Sequence, residues 1–354
     1  MSDLHKALLQ RVKKRESELG LSSLEEESVS DDTKNVVEED TSQIDQKIMR
    51  EYEQFKSDYF ITEEYSHESS TIKTYFMKSK KPGPVLICGH GAGSSSMTFA
   101  ELCRNITDET ISVFLYDMRG HGGSRGEPDF SLDMLVEDFH FILEEFKSRH
   151  HPLGVFLLGH SLGGAIFAKY VHTHPQEVVK GLILLDIVEE TAITSLNVMP
   201  FFLEKLPRSF PSISKAIGWH MNFLLFNEKS ARLSLPDIFN LDTMTWKTDL
   251  KQTEPYWNTW FNGLSNNFLN FPKAKLLILA AHETLDKELI IGQMQGKYEL
   301  VVFNNSQKSG HFVHEDLPKH VAIRVEEFIC KVYAPERYMR DHLGVTPKWG
   351  GKVT

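Results

Sequence analysis

The chain predicts a largely parallel α/β sheet with helices on both faces, and three observations point there. Short, nearly continuous apolar runs recur along it, helical patterns separate most of them, and one run passes through a glycine-flanked serine straight into a helix. The apolar, β-rich runs fall at residues 72–77, 85–88, 111–116, 155–158, 181–185, 276–281 and 300–303. Apolar residues at helical spacing fill 132–146 and 162–172, and 321–332 reads as a further helix after Pro318. The alternation fails once, across residues 188–271. That stretch is rich in aromatics and prolines and holds helical pieces but no convincing strand, so it is expected to be a helical lid inserted over the carboxyl edge of the sheet.

At 354 residues the chain suits one large α/β domain with insertions or two smaller units. With 25% charged and 41% hydrophobic residues, wholesale disorder, a fibre and a coiled coil are excluded. No apolar run approaches the ~20 residues that span a bilayer, so no membrane is expected as partner. Three cysteines, Cys88, Cys103 and Cys330, cannot build a disulfide framework, and a reducing compartment, cytoplasmic or nuclear, is the natural reading.

The net charge of −10 is local. Residues 16–45 carry eleven acidic residues against one lysine, Lys34, whereas five basic residues and Asp3 crowd the first fifteen. Residues 1–45 are therefore expected to be a flexible, disordered charged tail, followed by the domain at 46–335 and a C-terminal extension at 336–354. Leu4, Leu8 and Val12 among basic residues permit a short amphipathic helix, but Asp3 and the acids beyond Arg15 argue against a mitochondrial presequence. The near-neutral body lacks the basic excess of a nucleic-acid binder.

The pattern G-x-S-x-G occurs twice. Gly159-His160-Ser161-Leu162-Gly163 follows the apolar run 155–158 and opens a helix, the strand–turn–helix setting that exposes a nucleophilic serine. Gly122-Gly123-Ser124-Arg125-Gly126 has no strand directly before it and is read as a glycine-rich loop. Acyl transfer also requires donors for the oxyanion. The loop His90-Gly91-Ala92-Gly93, after the run 85–88, offers the backbone N–H of Ala92, with that of Leu162 as the second donor. Neither a dinucleotide fingerprint nor a P-loop lysine is present.

The order Ser, acid, His puts the base after the last strand, which leaves His311, His314 and His320; His311 is favoured because it sits in the loop before the terminal helix, where Gly310 allows a tight backbone. His314-Glu315-Asp316 is read as the approach to a helix, with Asp316 near its cap. His172 with His174, or His314 with Glu315 and Asp316, lack a recognisable metal constellation. For the acid, Asp186, Glu283 and Asp286 all lie at strand ends between serine and histidine, and spacing leaves the three equal.

Several longer stretches resemble the protein phosphatase methylesterase family of α/β-hydrolases across about residues 70–335. They include Gly159–Gly164, residues 181–189, Tyr256-Trp257, Trp260-Phe261, Gly263-Leu264-Ser265-Asn266 and Leu285-Asp286-Lys287. The likeness continues through Ile291-Gly292-Gln293-Met294-Gln295-Gly296-Lys297, Gly310-His311 and Val313-His314-Glu315-Asp316. The resemblance implies an α/β-hydrolase fold and hydrolysis of the methyl ester on the C-terminal leucine of the type 2A protein phosphatase catalytic subunit, with no metal or organic cofactor. It also implies Asp186 as the acid beside Ser161 and His311. The loop at Ala92 departs from the family's more uniformly glycine version. Trp246, Tyr256, Trp257, Trp260 and Phe261 suit either a peptide-binding surface or a helix packing inward. A small-molecule carboxylesterase or lipase, and a non-catalytic binding module on the same fold, are the competing functions.

Overall fold

The computed structural model describes residues 31–67, 70–280, 284–303 and 308–344, the side chains of 31–40 and 342 excepted. Its strands are β1 Ile61–His67, β2 Ser70–Met77, β3 Val85–Gly89, β4 Ser112–Tyr116, β5 Arg125–Gly126, β6 Val155–His160 and β7 Val179–Leu185. After the insertion hairpin of β8 Phe239–Asn240 and β9 Thr245–Trp246 come β10 Ala274–Leu279 and β11 Glu299–Val302. The main sheet runs β1-β2-β4-β3-β6-β7-β10-β11, with β5 beside β2. From β4 to β11 every pairing is parallel, while β1 and β2 form an antiparallel edge.

Both faces of the parallel strands are covered, which explains why their sequences are apolar without alternation. Along β6, Val155 and Leu157 enter one core with the helices Leu132–His150 and Leu162–Thr173. Phe156 and Leu158 enter the other, against the helix Pro318–Tyr333. The same split holds in β10, where Leu277 and Leu279 face one side and Leu276 and Ile278 the other.

The insertion is helical, as expected, apart from the two-residue strands β8 and β9. Its helices Ile213–Phe223 and Glu228–Ile238 form a third core with Phe210, Ile217, Leu235 and Phe239.

Of the flexible tail read from its charge, residues 1–30 lie outside the described residues; from residue 31 the chain is helical, a helix spanning Asp31–Tyr59, so the expected boundary at residue 45 falls inside it. Ile48, Tyr52 and Phe55 recur at helical spacing and are buried, Ile48 among the insertion's apolar residues and the two aromatics against the body. Asp45 accepts a hydrogen bond from Ser214 N at 2.9 Å, Glu51 pairs with Arg232 at 2.9 Å, and Tyr52 donates its hydroxyl proton to buried Asp237. This helix braces the insertion against the body. Tyr52→Phe would leave Asp237 short of a donor and is expected to cost about 1–3 kcal/mol in urea unfolding. An unchanged midpoint would deny the brace that role. At the other end, the extension expected at 336–354 begins in the helix Pro335–Leu343, whose Arg337 pairs with Asp108. Among the described residues no helix is long and apolar enough to cross a membrane.

Candidate active site

Ser161 sits on the turn between β6 and the helix Leu162–Thr173, with φ 51° and ψ −119°. A non-glycine residue there stores roughly 1–3 kcal/mol of strain. The neighbours that make the turn possible are glycines. A β-carbon on Gly159 would run into Gly163 and the Gly164 amide, and one on Gly163 into the Gly89 carbonyl. Ser161 N donates to Leu185 O at 3.2 Å, which ties the turn to β7.

That strand leads into one of the candidate acids, Asp186. Asp186 follows β7 with φ 49°, and its amide donates to Ile278 O at 2.8 Å on β10. Its Oδ1 accepts from Ala280 N at 2.7 Å, which leaves Oδ2 3.0 Å from His311 Nδ1. The carboxylate is buried, whereas the His311 side chain is 48% exposed, so the imidazole reaches solvent and a substrate while its partner does not. His311 is held through its backbone as well. His160, the residue before Ser161, donates from Nε2 to His311 O at 2.9 Å, and the Asp316 carboxylate accepts from Gly310 N at 2.7 Å.

Of the competing acids, Asp286 is taken up elsewhere. It caps the helix Lys287–Met294 by accepting from Leu289 N at 2.9 Å and also accepts from Ser265 Oγ at 2.6 Å. Glu283 lies outside the described residues. His314 is fully buried, with Nε2 2.8 Å from Thr98 Oγ1, and His320 meets Phe303 by its ring. Asp316 stands directly before Leu317, the N-cap of the following helix, as expected, but its carboxylate does not cap that helix. Its two oxygens accept from Gly310 N and Phe226 N and so join the histidine loop to the insertion. Neighbouring Glu315 makes a second tie, accepting from Ser234 Oγ at 2.6 Å and from Thr98 Oγ1 at 2.5 Å. No pattern in the sequence marks these ties, because the partners Phe226, Ser234 and Thr98 lie about 80 to 217 residues away.

The second G-x-S-x-G copy is scaffolding. Ser124 Oγ donates to Asp117 O at 2.7 Å and accepts from Lys73 N at 2.8 Å. Trp257, Trp260 and Phe261 are core residues, and Trp260 Nε1 donates to Phe130 O at 2.8 Å. Trp246 and Tyr256 are half-buried and bonded to Pro207 O and Pro128 O. Among the described residues no group of three or more His, Cys, Asp or Glu is arranged to hold a metal ion.

Burial keeps five histidines around the site and the insertion neutral. It pulls His90 and His314 down to about 3 and His121 and His220 to about 4, and pushes His160 well below the usual range. Burial also raises Asp117 to about 6 and Glu315 to about 7. Below pH 6.5 the unfolded chain protonates these five imidazoles while the folded chain does not. Their contribution is therefore complete above pH 6.5 and is lost as pH falls towards 4. The two acids act in the opposite sense over part of that range but are outnumbered. Urea midpoints are expected to fall from pH 7 to pH 5, at about 1.4 kcal/mol per net proton per pH unit. A midpoint that stayed level or rose would contradict this balance.

Comparison with known proteins gives the fold and the family. A family model described as serine aminopeptidase, S33, matches residues 80–216. E-2-(acetamidomethylene)succinate hydrolase superposes with a TM-score of 0.62 at 18% identity, over 77% of this chain and 99% of its own, which shows the shared α/β-hydrolase fold. Protein phosphatase methylesterase 1 of Debaryomyces hansenii is 43% identical over the full length of both chains. That of Candida albicans is 58% identical over 100% of this chain and 99% of its own. Similarity at that level and along the whole sequence makes the chain a member of the protein phosphatase methylesterase family, carboxylic ester hydrolases of the α/β-hydrolase fold.

Proposed function

We propose that Ser161, His311 and Asp186 form a catalytic triad that removes the methyl ester from the C-terminal leucine of the type 2A protein phosphatase catalytic subunit. The observation that carries this reading is the 3.0 Å contact between buried Asp186 and half-exposed His311, in a chain of this family whose Ser161 is presented on a strained turn. His311 takes the Ser161 hydroxyl proton as the oxygen attacks the ester carbonyl, and Asp186 holds the imidazole and stabilises its cation. The N–H groups of Ala92 and Leu162 receive the oxyanion. When the tetrahedral intermediate collapses, the proton passes from His311 to the leaving methoxide and methanol departs. Water, deprotonated by the same histidine, then cleaves the acyl-enzyme and frees the leucine carboxylate.

A protein substrate also suits the outer surface. Ile290 and Met294, one turn apart on the helix Lys287–Met294, are 44% and 84% exposed, an apolar strip of the kind that protein partners cover. The test is to compare kcat/KM for the carboxymethylated catalytic subunit with that for short-chain aryl esters. Methyl release from the phosphatase, with slower turnover of the small esters, is expected. Efficient aryl ester hydrolysis without action on the phosphatase would assign the site to a small-molecule carboxylesterase.

A further inference from the structure

We propose that His90 is a positioning residue for this reaction: its ring pins the Gly91 carbonyl and thereby aims the Ala92 N–H at the ester oxygen. The proposal rests on the serine esterase reading and deepens it. The loop carrying Ala92 lies directly against the nucleophile, since a β-carbon on Gly91 would come within 3.2 Å of Ser161 Cβ. In a trans peptide the C=O and N–H of one unit point opposite ways. Whatever holds the Gly91 oxygen therefore sets the direction of the Ala92 N–H.

Two donors hold that oxygen, His90 Nδ1 at 2.8 Å and Ser94 N at 3.2 Å. The ring's proton is assigned by its other contact. Met118 N donates to His90 Nε2 at 2.9 Å, so Nε2 carries the lone pair and Nδ1 the hydrogen. His90 is fully buried, and its low affinity for a second proton keeps this tautomer across the working pH range. The next peptide is held as well: Gly93 N donates to His121 Nε2 at 3.0 Å and His121 Nδ1 donates to Arg119 O at 2.9 Å. Asp117 closes the frame by accepting from Ser96 N at 2.7 Å and Gly123 N at 2.8 Å. The loop that bears the oxyanion donor is thus built rigid before substrate arrives, which is the condition for electrostatic stabilisation without reorganisation.

The test uses two substitutions that divide the ring's functions. His90→Asn keeps a donor at the δ position, whereas His90→Gln keeps an acceptor towards Met118 N and removes that donor. Each is assayed on N-acetyl-leucine methyl ester and on its thiono counterpart, whose sulfur accepts hydrogen bonds poorly. His90→Gln is expected to lower kcat on the oxygen ester roughly 10- to 100-fold, part of what one lost oxyanion donor costs, with KM little changed. The thiono rate should change much less, so the preference for oxygen collapses, and His90→Asn should retain most of it. Equal slowing of both esters, or an intact preference in His90→Gln, would overturn the proposal. A wild-type enzyme with no oxygen preference would instead remove the oxyanion-hole reading beneath it, which is a separate result. Imidazole ¹⁵N spectra of the wild-type protein need no variant: a proton on Nδ1 of His90 is expected, and a proton on Nε2 would overturn the assignment.

Discussion

Ser161→Ala is expected to reduce methyl release by about 10⁶-fold while leaving circular dichroism and the urea midpoint unchanged, on the scale seen when a serine hydrolase loses its nucleophile. Alanine tolerates φ 51° no worse than serine, and the Ser161 N to Leu185 O bond survives the change, so folding is not at issue. Ser124→Ala should behave in the reverse way. Its hydroxyl serves Asp117 O and Lys73 N, and its loss is expected to cost about 1–3 kcal/mol of stability with catalysis retained. Single-turnover methyl release measured alongside urea unfolding separates the two serines. Full activity in Ser161→Ala would reject it as nucleophile.

Asp186→Asn is expected to cut turnover by about 10⁴-fold, because an amide in place of the carboxylate favours the wrong imidazole tautomer and cannot stabilise the cation. Asp186 also accepts from Ala280 N, a bond that the Asn oxygen can keep, so the folded state should persist. Asp286→Asn provides the contrast. It weakens the cap at Leu289 N and the bond from Ser265, with an expected loss of about 1 kcal/mol in stability and little change in kcat. The pH profile of kcat/KM provides a second readout, since only loss of the histidine's partner should move its acid limb. Near-normal turnover in Asp186→Asn, with collapse in Glu283→Gln, would transfer the acid's role to the later strand end.

What the sequence made legible follows from burial. Strands covered on both faces, such as β3 and β6, read as unbroken apolar runs and fell within two residues of their structural ends. Strand β1 was missed because only Tyr65 among its residues is buried, so Ile61-Thr62-Glu63-Glu64 offers no apolar pattern. The helix Asp31–Tyr59 was hidden by the acids of the same segment, although Ile48, Tyr52 and Phe55 already marked a buried face. The serine was legible because strand, turn and helix are contiguous in sequence. The proposed acid was not, because Asp186 and Asp286 both follow strands. Only the register of β7 against β10 turns Asp186 towards His311 while Asp286 is spent on a helix cap. His90 escaped notice for a related reason: it was read as part of a glycine loop, and its partner Met118 lies 28 residues away.

The most direct test of the central claim is hydrolysis of carboxymethylated phosphatase catalytic subunit in ¹⁸O-labelled water, with both products weighed by mass spectrometry. Attack by Ser161 on the ester carbonyl, followed by hydrolysis of the acyl-enzyme, breaks the acyl–oxygen bond. The account therefore predicts methanol of ordinary mass and one heavy oxygen in the leucine carboxylate. Heavy methanol with an unlabelled carboxylate would mean that water attacks the methyl carbon, and failure to release any methyl group would remove the phosphatase as substrate. Either result would contradict the account.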